Sequence, residues 1–146
     1  MKFNKTTLFF TALFALSTAT ISSVVYADNA SQFQQGVEAA EKGDYQTAYN
    51  LWKPLAEQGD SSTQYNLGVM YHQGLGIKQD YHQAVKWYTL AAEQGEAMAQ
   101  TNLGIMYRLG QGVKQDISKA KYWASQACKG GNQDGCEVLA MLEEGI

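Results

Sequence analysis

Laid over Gln100–Gly131 without a gap, Gln64–Gly95 matches at fifteen of thirty-two positions. The shared residues include Gln64/Gln100, Leu67/Leu103, Gly68/Gly104, Met70/Met106, Tyr71/Tyr107, Asp80/Asp116, Ala84/Ala120, Trp87/Trp123 and Gly95/Gly131. A period of 36 residues confines the chain to a stack of small units, because none of that size buries its apolar face alone.

Inside each unit the apolar spacing is helical. Leu67, Met70 and Tyr71 stand at i, i+3 and i+4, and Ala84, Trp87, Tyr88 and Ala91 continue that rhythm on a second segment. Between the two segments lies "GLGIKQD" at Gly74–Asp80, returning as "GQGVKQD" at Gly110–Asp116. A glycine loop that cradles phosphate follows a strand and opens a helix. Here each glycine pair follows a helix, and no Gly-Lys-Ser/Thr is present, so the expectation is a joint rather than a nucleotide site. Asp80 and Asp116 stand where a carboxylate accepts from the free N–H groups of the next helix. Gly95 and Gly131 stand where a left-handed residue closes one.

A weaker copy precedes these units, with Gly36, Tyr45, Ala48, Leu51, Trp52, Leu55 and Gly59 in equivalent places and a shorter joint. Pro54 falls inside its second helix, where it removes a backbone donor. Trp52, Trp87 and Trp123 read as packing residues recurring at the repeat interval. A half unit closes the chain. The expected fold is all-α, with units at residues 28–60, 61–96, 97–132 and 133–146. Helices are expected near 30–42, 45–58, 61–73, 81–94, 97–109, 117–129 and 133–144.

Residues 1–27 read differently. Lys2 and Lys5 precede an apolar run that fades into Ser and Thr and ends at Val25-Tyr26-Ala27, the pattern of an export signal cleaved after Ala27. The run is shorter than the roughly 20 apolar residues of a membrane span, so no stable span is expected after cleavage. From Asp28 onward nine Lys and Arg face fourteen Asp and Glu, a net charge of −5. That balance, without a basic cluster, argues against nucleic acid as a partner.

The stretch "QYNLGVMYHQGLGIKQDYHQAVKWYTLAAEQG" resembles the Sel1-like repeat, a relative of the tetratricopeptide repeat. The second full unit carries that pattern at Ala99, Leu103, Gly104, Tyr107, Gly110, Gly112, Val113, Asp116, Ala120, Trp123, Ala127 and Gly131, and departs from it at Ala124 and Cys128. The resemblance implies a right-handed superhelical solenoid of antiparallel helix pairs whose first helices line a concave, protein-binding face. Phe33, Val37, Tyr65, Val69, His72, Thr101, Ile105 and Arg108 are the expected contacts with a protein partner, with core packing as the competing role for Phe33, Val69 and Ile105. The resemblance also connects some exported members with neutralising antibacterial effectors.

Cys128 and Cys136, in "CKGGNQDGC", close one helix and open the next, close enough in sequence for a disulfide across the turn. A metal site would need further ligands, which His72 and His82 do not supply in any recognised motif, and a catalytic thiol would be captured by its neighbour. The spacing is similar to that of the Helicobacter cysteine-rich proteins, a secreted branch in which every repeat has its own bridge and which is associated with weak β-lactam hydrolysis. Here only one repeat has a pair. With no Gly-x-Ser-x-Gly and no His-Glu-x-x-His, neither catalysis nor a cofactor or metal is expected.

Overall fold

The computed structural model describes residues 17–145, with side chains described from residue 27. The expected signal segment therefore lies largely outside the described residues. Among the described residues seven α-helices follow one another: α1 (Ser17–Glu41), α2 (Tyr45–Glu57), α3 (Ser61–Gln73), α4 (Tyr81–Glu93), α5 (Ala97–Leu109), α6 (Ile117–Lys129) and α7 (Gln133–Glu144). No strand occurs among the described residues. The one large departure from expectation is α1, which starts at Ser17 rather than near residue 30. Nothing between them stops it, since residues 17–29 contain neither Gly nor Pro. No helix of the described residues is long and apolar enough to cross a membrane.

The duplicated loop is a joint, built twice from the same bonds. Gly74 and Gly110 end α3 and α5 in the left-handed region, at φ 71° and 68°. The Gln79 side-chain amide then donates to the His72 carbonyl at 2.7 Å, and Gln115 donates to that of Arg108 at 2.8 Å. The backbone N–H groups of Asp80 and Asp116 return to the Tyr71 and Tyr107 carbonyls, each at 2.9 Å. The two carboxylates then cap α4 and α6. Gly76 and Gly112 have a separate task. Each lies against the start of the preceding second helix, where a β-carbon would overlap Tyr45 or the Tyr81 carbonyl. The joints thus tie each unit to its predecessor. The buried glutamines do likewise, Gln64 donating to the Ala56 carbonyl and Gln100 to that of Ala92, both at 3.0 Å.

Between the helices of each pair, a glycine on the first helix faces a residue on the second. Gly36 meets the Trp52 indole, Gly68 meets the Tyr88 ring, and Gly104 meets the α6 backbone at Ala120 and Ala124. Trp52 is therefore the counterpart of Tyr88 and Ala124, not of Trp87 and Trp123 as the expected recurrence had it. Counted from Asp44, Asp80 and Asp116, Leu51 is the residue in register with Trp87. The filler shrinks from Trp to Tyr to Ala along the stack. The first helices converge in the same direction: α1 and α3 scarcely meet, α3 and α5 touch lightly, and α5 and α7 pack more extensively. The second helices make no comparable contact with one another, which puts the first helices on the inside of the curve.

Both end faces are polar. Where α3 and α5 bury Leu67/Leu103 and Met70/Met106 against the preceding unit, α1 exposes Gln35 and Glu38. Where α5 buries Thr101 and Gly104 and half-buries Tyr107, α7 exposes Glu137, Ala140 and Glu143. Polar outer faces of this kind are what end units of a stacked array require.

Candidate functional site

The inner face is floored by α3 and α5, and their composition sets its character. α3 contains no Asp, Glu, Lys or Arg, and α5 contains only Arg108. Met98, Ile105 and Leu109 are seven and eleven residues apart, so they share one face of α5. Met98 is 48% exposed and Leu109 51% exposed, and Met141, 36 residues beyond Ile105, adds a 38% exposed side chain on α7. The corresponding stripe on α3 is Ser62, Asn66, Val69 and Gln73, and on α1 it is Ala30, Gln34, Val37 and Glu41. Asn102 and Asp134 are the polar members of the stripes on α5 and α7, so the face is most apolar along α5, where Met98, Ile105 and Leu109 stand.

The expected contact residues divide under this geometry. Thr101 is the plain correction. It is 5% exposed, and its hydroxyl donates to Asn132 at 2.9 Å, so it belongs to the α5–α7 seam. His72 turns toward its own second helix, edge-on to Tyr81 at 5.4 Å and to Tyr88 at 6.2 Å. Burial there holds its imidazole below the usual value. Tyr65 lies 5.9 Å from Tyr88, half-buried, and burial pushes its phenol up. Val37, Val69 and Ile105 are half-buried at the rim of the core, and Phe33 packs 6.3 Å from Trp52. Arg108 is partly exposed, and its Nε is shielded from water with no acceptor among the described residues. The exposed stripe, Met98, Leu109 and Met141, was missed because turning outward from Leu67 and Tyr71 reaches Tyr65 and His72, which lie against the α4 rings of Tyr88 and Tyr81. Steps of seven and four from Met98 reach Ile105 and Leu109, and one repeat interval beyond Ile105 reaches Met141.

Beside α1 the inner face opens into a cleft of about 680 Å³, lined by Asn29, Ala30, Phe33, Gln34, Leu55, Gln58, Gly59, Asp60 and Ser62. At the other end, Cys128 and Cys136 form a disulfide that joins α6 to α7, with Cα atoms 4.5 Å apart. Among the described residues no group of three or more His, Cys, Asp or Glu could hold a metal ion. Ser118 and Lys121 have Ser-x-x-Lys spacing, but Ser118 is exposed in the first turn of α6 and does not line the cleft beside α1.

Paired helices stacked in series, with the first helix of each pair on the inside of the curve, define a repeat solenoid. The chain belongs to the Sel1 repeat family, whose family model matches residues 31–60, 61–96 and 97–132. Among solved structures it is similar to a protective antigen from uropathogenic Escherichia coli, at 30% identity and TM-score 0.77, covering 85% of this chain and 27% of that one. It is similar also to a Sel1 repeat protein from Oxalobacter formigenes, at 30% identity and TM-score 0.71, covering 77% and 48%. Helicobacter pylori cysteine rich protein B shares the fold at 22% identity and TM-score 0.63, covering 77% and 95%. The chain spans about a quarter of the first relative's length and about half of the second's. A search of curated proteins finds no match.

Proposed function

We propose that the protein is an exported interaction module that holds another protein along its inner face and carries out no chemistry of its own. The observation that carries this reading is the floor of that face: thirteen residues of α3 without a formal charge beside α5 with one, bordered by exposed Met98, Leu109 and Met141. Interface centres are depleted in Lys, Glu and Asp and enriched in Tyr, Met and Arg. Arg108, partly exposed at the end of α5, supplies the single cation of that floor. Export, with a mature end after Ala27 and residence in the periplasm or outside the cell, is supported by the amino-terminal pattern and by the disulfide, which persists in oxidising compartments. Family membership supports contact rather than catalysis.

The test is capture from periplasmic extract at physiological salt, comparing the wild-type protein with a Met98→Glu/Leu109→Glu variant. Both positions are exposed, so the melting temperature should stay within about a degree or two. Capture should fall at least tenfold, as expected for charges placed in an apolar contact. The reading fails if the wild-type protein retains nothing, or if the double variant retains the same protein equally well. Neutralisation of an antibacterial effector is the narrower form of this reading. It predicts that the retained protein is toxic in the periplasm and that co-expression of the wild type, but not of the double variant, restores growth.

A further inference from the structure

The cleft beside α1 exists for a reason that can be read residue by residue. Trp52 stands between α1 and α2, and α1 scarcely meets α3. Small side chains, Ala30 and Ser62, then leave the space between α1 and α3 unfilled. One unit along, Met98 occupies the position of Ser62, and the Gln94 amide folds back onto the Gly59 carbonyl at 3.0 Å and the Gln64 carboxamide at 2.7 Å. A further unit along, the Thr101–Asn132 hydrogen bond lies at the corresponding level.

The lining has three kinds of chemistry. Phe33, Leu55 and Ala30 supply apolar surface. Asn29, Gln34 and Gln58 supply carboxamides, each able to donate and to accept, which is what a peptide backbone requires of a partner. The Asn29 and Gln58 amides lie 3.5 Å apart, a contact at the limit of hydrogen bonding that a ligand can replace. Asp60 supplies the single charge, with no Lys, Arg or His in the lining. One of its oxygens accepts from the Thr63 N–H at 2.7 Å to cap α3, and the other has no partner among the described residues.

We propose that this cleft takes a short extended segment of the partner protein, carrying a lysine or arginine beside an apolar side chain. The basic group meets the free Asp60 oxygen, the apolar side chain covers Phe33 and Leu55, and the carboxamides bind the segment's backbone. The volume lies in the range of ligand pockets, about 300–1,000 Å³. This proposal rests on the inner-face reading and adds to it a second contact, at the opposite end from Met98 and Leu109.

The experiment titrates acetylated, amidated tetrapeptides into nitrogen-15-labelled protein and follows the side-chain amide signals of Asn29, Gln34 and Gln58. The probes are Ala-Leu-Lys-Ala and versions with glutamate or norleucine in place of lysine. The lysine peptide should shift all three signals, and the other two should bind at least about tenfold more weakly, as for loss of a charge-assisted hydrogen bond. Asp60→Asn, which keeps a good helix cap, should abolish the preference for lysine without unfolding α3. Ser62→Met, which copies the next unit, should abolish binding of every probe. The proposal is overturned if no probe shifts these signals, if the glutamate peptide binds as well as the lysine peptide, or if Ser62→Met leaves binding intact. Its failure is distinguishable from failure of the inner-face reading. Capture that is lost in Met98→Glu/Leu109→Glu but unchanged in Ser62→Met would sink the cleft alone.

Discussion

The two ends of this stack solve the same packing problem in opposite ways. At the amino-terminal end a glycine on α1 receives an indole, α1 scarcely reaches α3, and a cleft remains. At the carboxyl-terminal end a glycine on α5 receives the backbone of α6 at Ala120 and Ala124, α5 packs on α7, and a disulfide clamps the last turn. A single position per unit, occupied by Trp52, Tyr88 or Ala124, accompanies this gradient from open to closed. Nearly identical units can therefore present a surface that changes along its length.

The most severe test of that account is Trp52→Ala. Trp52 is 6% exposed and donates its indole N–H to the Phe33 carbonyl at 3.2 Å. Its loss should cost about 3–5 kcal/mol in urea unfolding, with hydrogen exchange rising first in α1. A cost below about 1 kcal/mol would mean that the ring is not what sets the spacing. Next comes Gly112→Ala, which combines a left-handed φ of 67° with overlap against the Tyr81 carbonyl and should cost about 2–4 kcal/mol. Gly131→Ala, at φ 85° with open space around it, should cost only about 1 kcal/mol. Equal losses would show that the joint does not bind unit to unit.

Replacing both Cys128 and Cys136 with serine closes a smaller gap. Opening this short loop should cost about 2–3 kcal/mol, and the faster exchange should be confined to α7 and the end of α6. Faster exchange in α1 as well would show that the two ends are not independent. The smallest effect lies midway, at His72, whose imidazole burial keeps it below its ordinary value. Its contribution to stability is complete above the unfolded value of about 6.5 and is lost as pH falls from there through the folded value, because the unfolded chain takes up the proton first. Melts at pH 7.5 and 5 should show a smaller acid-induced drop for His72→Gln than for the wild type. Tyr71 behaves in the opposite sense: burial and its hydrogen bond to Tyr49 push it up to about 12, so its contribution fades as pH rises above about 10.

The fold was legible because the repeat is spelled out in helix and joint alike. Gln64, Gln79, Asp80 and their copies are identical because each makes the same bond twice. The wedge was not legible. Trp52 lies 35 residues before Trp87, and a difference of one residue on a helix turns a side chain by about 100°, from one neighbour to another. The contact residues were half legible for a similar reason. Periodicity identifies an apolar stripe but not which part of the helix a neighbour covers, and Thr101 is covered by Asn132, the residue that caps α7. The early start of α1 had no stop signal to mark it in either direction.

The polar end faces carry one consequence for behaviour at high concentration. Stacked helical arrays have open ends, and two molecules meeting head to tail could in principle grow into a filament. Such an encounter would press Gln35 and Glu38 of one molecule toward Glu137 and Glu143 of the next, desolvating carboxylates against one another. These exposed carboxylates thus work against end-to-end association of neighbouring molecules.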